Sequence, residues 1–155
     1  MKIEKTKLVR RQLDAKLEEF RPLGNLKPPS KGWIRAIRDA LGMTGEQLAK
    51  RIGSNKQRIA RIESDEAQGR VTIKTLRNVA EGLDCFFVYG FVPRTSLEET
   101  VRNRAKHIAK KQMDRVSRTM ELEQQGLDNQ EQEIILRDAI EQLIDKSSKT
   151  LWNDE

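Results

Sequence analysis

Between Lys31 and Asp84 the apolar residues come in short bursts at helical spacing, each bounded by a residue that starts or stops a helix. Ile34, Ile37 and Leu41 share one face of a helix predicted over about Gly32–Leu41, with Gly42 as its C-terminal stop. Thr44 suits the N-cap of a second helix that turns Leu48, Ala49 and Ile52 inward. A tight turn follows at Gly53. Asn55 or Ser54 then caps a third helix, with Ile59 and Ile62 inward and Lys56, Gln57, Ala60 and Arg61 outward. Ser64–Arg70 reads as a polar loop. Thr72 opens a further helix carrying Leu76, Val79, Ala80 and Leu83 on its inner face.

The flanks are patterned differently. From Ile3 to Phe20 a thin stripe of Val9, Leu13, Leu17 and Phe20 marks a very charged helix that needs something to lie against. In Arg21–Gly32, Pro22, Gly24, Pro28, Pro29 and Gly32 exclude a helix, so this stretch reads as a linker. Cys85–Pro93 is aromatic and β-branched and predicts a strand of Phe86, Phe87, Val88, Tyr89, Phe91 and Val92, stopped by Pro93. No second strand is written in the sequence. A lone strand leaves its amides unpaired, so the expectation is a homodimer joined by an intermolecular two-stranded sheet. The rival reading is an extended arm packed on its own domain.

From Thr95 a helical seam runs through Leu97, Val101, Ala105, Ile108, Gln112, Val116 and Met120, with a stop at Gly126 and Leu127. Asp128 with Glu131 forms a capping-box pattern for a last helix. Its stripe, Ile134, Ile135, Leu136, Ala139, Ile140, Leu143 and Ile144, is wide enough to meet the preceding helix and something more. Ser147–Glu155 reads as a fraying tail. The expected architecture is mainly α: residues 1–30 a helix and Pro-rich linker, 31–93 a small helical domain with its strand, and 94–155 a helical extension.

Composition narrows the partners. The chain of 155 residues carries 30 Lys and Arg against 24 Asp and Glu, a net charge of +6, which favours a polyanion without choosing DNA over RNA or membrane. Cys85 is the only cysteine, so no intrachain disulfide can form. One His and one Cys make no zinc site, and no glycine-rich phosphate loop is present, so no metal and no cofactor are expected. Nucleophile–carboxylate sets are likewise missing, which argues against an enzyme. The apolar run Cys85–Val92 is far too short to span a bilayer.

The pair of short helices around Gly53 has the layout of a helix-turn-helix, in which one helix braces and the other enters the major groove. Arg and Lys suit guanine edges, and Gln and Asn suit adenine edges. That chemistry makes Lys56, Gln57 and Arg61 candidate base readers. Asn55, Arg58, Thr44, Gln47, Arg35, Arg38 and Arg70 are candidates for phosphate contacts.

Leu41–Cys85 resembles the Cro/C1-type (XRE) helix-turn-helix family through Leu41, Gly42, Thr44, Leu48, Ala49, Gly53, Ile59, Ile62, Glu63, Leu76, Ala80 and Leu83. Gly45 departs from the Gln usual there. More narrowly, the Pro-rich lead-in, GWIRAIRDALGMTGEQLAKR, RIARIES and the FVP strand end resemble the family called mobile mystery protein A. The resemblance implies a lambda-repressor-like domain in a bacterial, cytoplasmic, nucleoid-associated regulator. It also implies a palindromic double-stranded operator, and a neighbouring Fic/DOC-domain protein as the second half of a two-gene module. On this expectation the chain is an autoregulating repressor or antitoxin. The alternative is an antitoxin that masks a toxin through its helical extensions, with DNA binding secondary.

Overall fold

A computed structural model describes residues 2–122, 128–146 and 150–153. Seven α-helices follow one another among them: α1 Lys2–Glu18, α2 Trp33–Ala40, α3 Gly45–Arg51, α4 Lys56–Ala67, α5 Ile73–Gly82, α6 Leu97–Leu122 and α7 Asn129–Lys146. Short 3-10 turns lie at Arg21–Asn25 and Thr150–Trp152. The chain divides into two compact units, Leu23–Gly90 and the pair Met1–Pro22 with Phe91–Glu155.

In the Leu23–Gly90 unit α2 to α5 enclose one core of Ile34, Leu48, Ala49, Ile59, Ile62, Val79 and Leu83. All are inward positions that the spacing predicts, but Leu41, expected on the face of Ile34 and Ile37, is exposed because α2 ends at Ala40 and Leu41 is only its C-cap. The stops are local. Gly42 adopts a left-handed φ of 66°, and Gly42 N–H and Met43 N–H donate back to Asp39 O and Arg38 O, each at 3.0 Å. The predicted loop at Ser64–Arg70 is corrected: α4 runs on to Ala67 before Gly69 turns the chain. The reason is a use for the acidic residues there. α2 has no side-chain cap of its own; instead the Glu66 carboxylate accepts from Trp33 N–H at 2.9 Å and Ile34 N–H at 3.0 Å. A negative group at a helix N-terminus meets both orphan donors and the helix dipole.

The predicted strand at Phe86–Val92 is also corrected, since the described residues contain no β-strand. The aromatic and β-branched run fits a pleated surface, but a ladder needs a second strand to pair with. The segment is irregular, with Phe86 98% and Phe91 81% exposed. The rings of Phe87 and Tyr89 stack at 6.2 Å.

In the other unit α6 packs along α7, and Val101, Ala105, Ala109, Ile140, Ile144 and Leu151 form the core. Ala105 and Ala109, four residues apart and fully buried, remove bulk on the packed face of α6. Asp128 Oδ1 accepts from Glu131 N–H at 2.8 Å while Glu131 Oε2 accepts from Asp128 N–H at 3.2 Å, the capping box expected for α7. The helix stop expected at Gly126 and Leu127 lies outside the described residues. The tail does not fray at Thr150–Trp152: Leu151 is fully buried, and Arg104 Nε donates to its carbonyl at 2.6 Å. In α1 the expected apolar stripe is covered only at its end: Leu17 and Phe20 are half-buried, while Val9 and Leu13 are exposed. Polar groups hold this helix. Both oxygens of Asp14 accept from the first turn of α6, Leu97 N–H at 2.7 Å and Glu98 N–H at 3.1 Å. The buried Arg10 pairs with Glu98 at 2.9 Å.

Candidate nucleic-acid interface

The site is built around the turn between α3 and α4. Thr44 and Gln47 cap α3 reciprocally: Thr44 Oγ1 accepts from Gln47 N–H at 3.1 Å, and Gln47 Oε1 accepts from Thr44 N–H at 2.8 Å. Gln47 thus keeps its side-chain NH2 group as a donor. Gly53 turns the chain at φ 64°, and Ser54 N–H closes the end of α3 on Ala49 O at 2.8 Å. Asn55 Oδ1 then accepts from Arg58 N–H at 2.9 Å and caps α4. Two local caps and one left-handed glycine therefore fix the angle at which α4 leaves α3.

α4 is two-sided. Ile59 and Ile62 are buried against Leu48 and Val79, while Lys56, Gln57, Arg58, Ala60 and Arg61 are exposed. Arg61 keeps 84% of its side chain in solvent, and its nearest carboxylate is Asp65 at 3.9 Å. Arg70, in the turn after α4, reaches the same Asp65 at 3.3 Å. One carboxylate thus stands between two guanidinium groups and leaves the locality cationic. A groove of about 560 Å³ runs beside them, lined by Gln57, Arg58, Arg61, Asp65, Arg70, Thr72 and Thr75. A second, of about 530 Å³, lies under the turn and shares Arg58 and Thr75. Lys74 and Asn78 line it as well, two residues that helical periodicity and turn chemistry do not single out. A signal was nonetheless present: Thr72 caps α5 by accepting from Thr75 N–H at 3.2 Å, so Lys74 sits in a first turn rich in free amide donors.

The remaining residues lie elsewhere on this unit. Arg35 is exposed beside Asp39, 3.7 Å away. Arg38, the other α2 candidate, is engaged within the unit, with Asp39 2.8 Å from its Nη1. Its Nε donates to Glu63 Oε1 at 2.6 Å and its Nη2 to Glu63 Oε2 at 3.3 Å, while Nη1 donates to Met43 O at 2.8 Å. The hydrogen bond from Arg38 to Glu63, and the charge of Glu63, raise the guanidinium pKa above its already high value, with burial opposing.

Charge follows this arrangement. Leu23–Gly90 carries twelve Lys and Arg against seven Asp and Glu, so five of the six net positive charges of the chain lie in this unit. Phosphate-rich surfaces are the natural counterpart. Residues 34–85 match the family model described as Helix-turn-helix.

Over these residues, about a third of the chain, the sequence is similar to a helix-turn-helix domain. Neither a curated protein nor a solved structure matches the chain at a significant level. Within the matched stretch α3 and α4 are the two helices on either side of the Gly53 turn. No helix of the described residues is long and apolar enough to cross a membrane.

Proposed function

We propose that the chain is a sequence-specific DNA-binding transcriptional regulator that acts as a homodimer on a palindromic operator. The observation that carries this reading is the exposed ridge from Asn55 to Arg61, held by two capped helix starts on a buried Ile59 and Ile62. Lys56, Gln57 and Arg61 are the base readers. Asn55, Arg58, Thr44, Gln47, Arg35 and Arg70, joined by Lys74, bind phosphates. Two ridges about 34–36 Å apart would meet successive major grooves. The exposed apolar segment Phe86–Tyr89 supports pairing of two copies, since water contact with so much aromatic surface is unfavourable. The cytoplasm, at the nucleoid, is the compartment this function requires.

Selection from a random duplex pool followed by Arg61→Ala tests the reading. The expected outcome is one preferred inverted repeat, with a loss of about 1–3 kcal/mol and relaxed preference at one base pair in each half-site. Equal affinity for all duplexes, before and after the substitution, would overturn it.

A second reading is that the chain is also the antitoxin of a two-gene module, binding a Fic-type protein through its helical extensions and repressing its own operon. Ile134, 53% exposed, and its neighbour Ile135 on α7 support it, because they leave an apolar strip uncovered. The resemblance to mobile mystery protein A supports it too. Coexpression with the product of the adjacent gene is the test. Co-purification and relief of toxicity are expected, and failure of both removes the antitoxin role while leaving DNA binding intact.

A further inference from the structure

α6 carries a second concentration of charge that the helix-turn-helix does not use. From Arg102 to Arg118 there are seven Lys and Arg, His107, and a single acid, Asp114. Val101, Ala105 and Ala109 turn this helix's apolar side into the core with α7. Arg102, Lys106, Lys110, Lys111, Arg115 and Arg118 are all on the exposed side. Arg102 meets Glu141 at 3.1 Å; Lys106, Lys110 and Arg118 have no ion-pair partner among the described residues.

The spacing is what sets this face apart. Elsewhere the chain places opposite charges four residues apart, as in Arg35–Asp39, Glu46–Lys50 and Arg61–Asp65. On α6 most positions four apart repeat the same sign, Arg102–Lys106–Lys110 and Lys111–Arg115, with Asp114, four from both Lys110 and Arg118, the one acid in the run. Like charges at that interval repel along a helix. The repulsion is relieved by an external anion. α7, with five acids against two bases over 129–146, meets only the near edge of this face: Glu141 pairs with Arg102, and Glu133 shares a groove with Arg102 and Lys106.

We infer that this face of α6 is a second duplex-binding surface, one that docks on the phosphate backbone without reading sequence. The inference rests on the proposal that the chain works on DNA. At a rise of about 1.5 Å per residue the patch is roughly 24 Å long. A duplex presents one phosphate for about every 1.7 Å of its axis, so Lys106, Lys110 and Arg118, which fall within about a third of the helix circumference, meet a row of anions. A lipid surface fits less well: a helix lying in a membrane interface inserts apolar side chains, and from Val101 to Val116 only Val116 of the apolar residues on α6 is exposed.

The test uses the full chain and a labelled duplex lacking the preferred site, titrated at a series of salt concentrations. The triple variant Lys106→Gln, Lys110→Gln, Arg118→Gln should flatten the slope of log affinity against log salt by up to about 2.7, about 0.9 for each phosphate that is no longer neutralised. The same flattening is expected on the preferred site, and Arg in place of the lysines should keep the wild-type slope. An unchanged slope in the triple variant, with its helix content intact by circular dichroism, overturns the inference. So does an effect confined to anionic vesicles. The two readings separate cleanly. Loss of sequence preference in Arg61→Ala with no slope change in the triple variant keeps the helix-turn-helix reading and removes this one. The converse, no sequence preference at all but a slope that falls in the triple variant, keeps this inference and removes the other. A chain that binds no duplex removes both.

Discussion

The guanidinium of Arg38 on α2 and the carboxylate of Glu63 on α4 face one another as a two-pronged ion pair, with nitrogen–oxygen distances of 2.6 and 3.3 Å. Only 13% and 10% of the two side chains remain in solvent. The pair ties the first helix of the DNA-binding unit to the helix that carries the proposed base readers.

Breaking that pair should be costly. Glu63→Ala leaves a largely buried guanidinium with only the more exposed Asp39, at 2.8 Å, as counter-ion, while Arg38→Ala leaves the buried Glu63 carboxylate without its partner. Arg38→Ala is expected to destabilise the chain by about 3 kcal/mol, the lower end for a broken buried pair because both groups keep a margin of solvent, and Glu63→Ala by less, since Asp39 still faces the guanidinium. The double variant should lose less than the two single losses combined. Urea unfolding followed by circular dichroism measures this. If Arg38→Ala were as stable as the wild type yet bound DNA with a flatter salt dependence, Arg38 would be a phosphate ligand after all.

Gly82, at the end of α5, gives a second prediction. A Cβ there would collide with Ile52 and come within 3.0 Å of Leu48 Cδ1. Alanine would add about 1 kcal/mol of helix propensity. Overpacking a core costs about 1–3 kcal/mol, and the β-branched Ile52 has little rotameric freedom to retreat. Gly82→Ala is therefore expected to be net destabilising by about 1 kcal/mol, read as a lower melting temperature. A rise in melting temperature would mean that α3 and α5 can separate at no cost.

A third prediction concerns acid. Glu18 and Arg21 meet at 2.6 Å in the open. The hydrogen bond from Arg21, reinforced by its charge, holds the Glu18 carboxyl below the usual carboxylate range, and the same bond raises the Arg21 guanidinium. A carboxyl lowered in the folded chain stabilises it above its unfolded pKa, and that contribution disappears as the pH falls through the folded value. The guanidinium, its pKa raised by the same bond, stays charged until extreme alkali, so only protonation of Glu18 ends the pair short of that. The clasp should thus open on the acid side alone. An NMR titration of the Glu18 carboxyl should show a depressed midpoint that returns to the ordinary value in Arg21→Gln. A wild-type midpoint already at the ordinary value would refute the clasp.

Much of the helix-turn-helix was legible because its determinants are local. Thr44 with Gln47, Asn55 with Arg58 and Thr72 with Thr75 each close over three residues, and Ile59 with Ile62 follows the helical period. What escaped the sequence acts across distance. Glu66 caps α2 from 33 residues away, and Asp14 reaches α6 across 83. No spacing rule announces such partners. The residues after Glu63 look like a loop because their acids have no visible employment in the sequence. The strand at Phe86–Val92 fails for a related reason: propensity describes how well side chains suit a pleated sheet, not whether a neighbouring strand exists. Arg38 looks like any exposed helix cation until α4 supplies its counter-ion. In α1 the apolar stripe is real in sequence, but Arg10 and Asp14 take over the anchoring.

The reach of Asp14 also sets an order of events. α1 is made early, yet its partners on α6 begin some eighty residues later, and the whole helix-turn-helix lies between them in the chain. Emerging from a ribosome, the inserted module holds all its own partners and can finish folding while α1 still waits. Closing the outer unit then means joining two distant stretches of chain with a finished domain between them. Such a long-range closure is intrinsically slower than the local pairings inside the module.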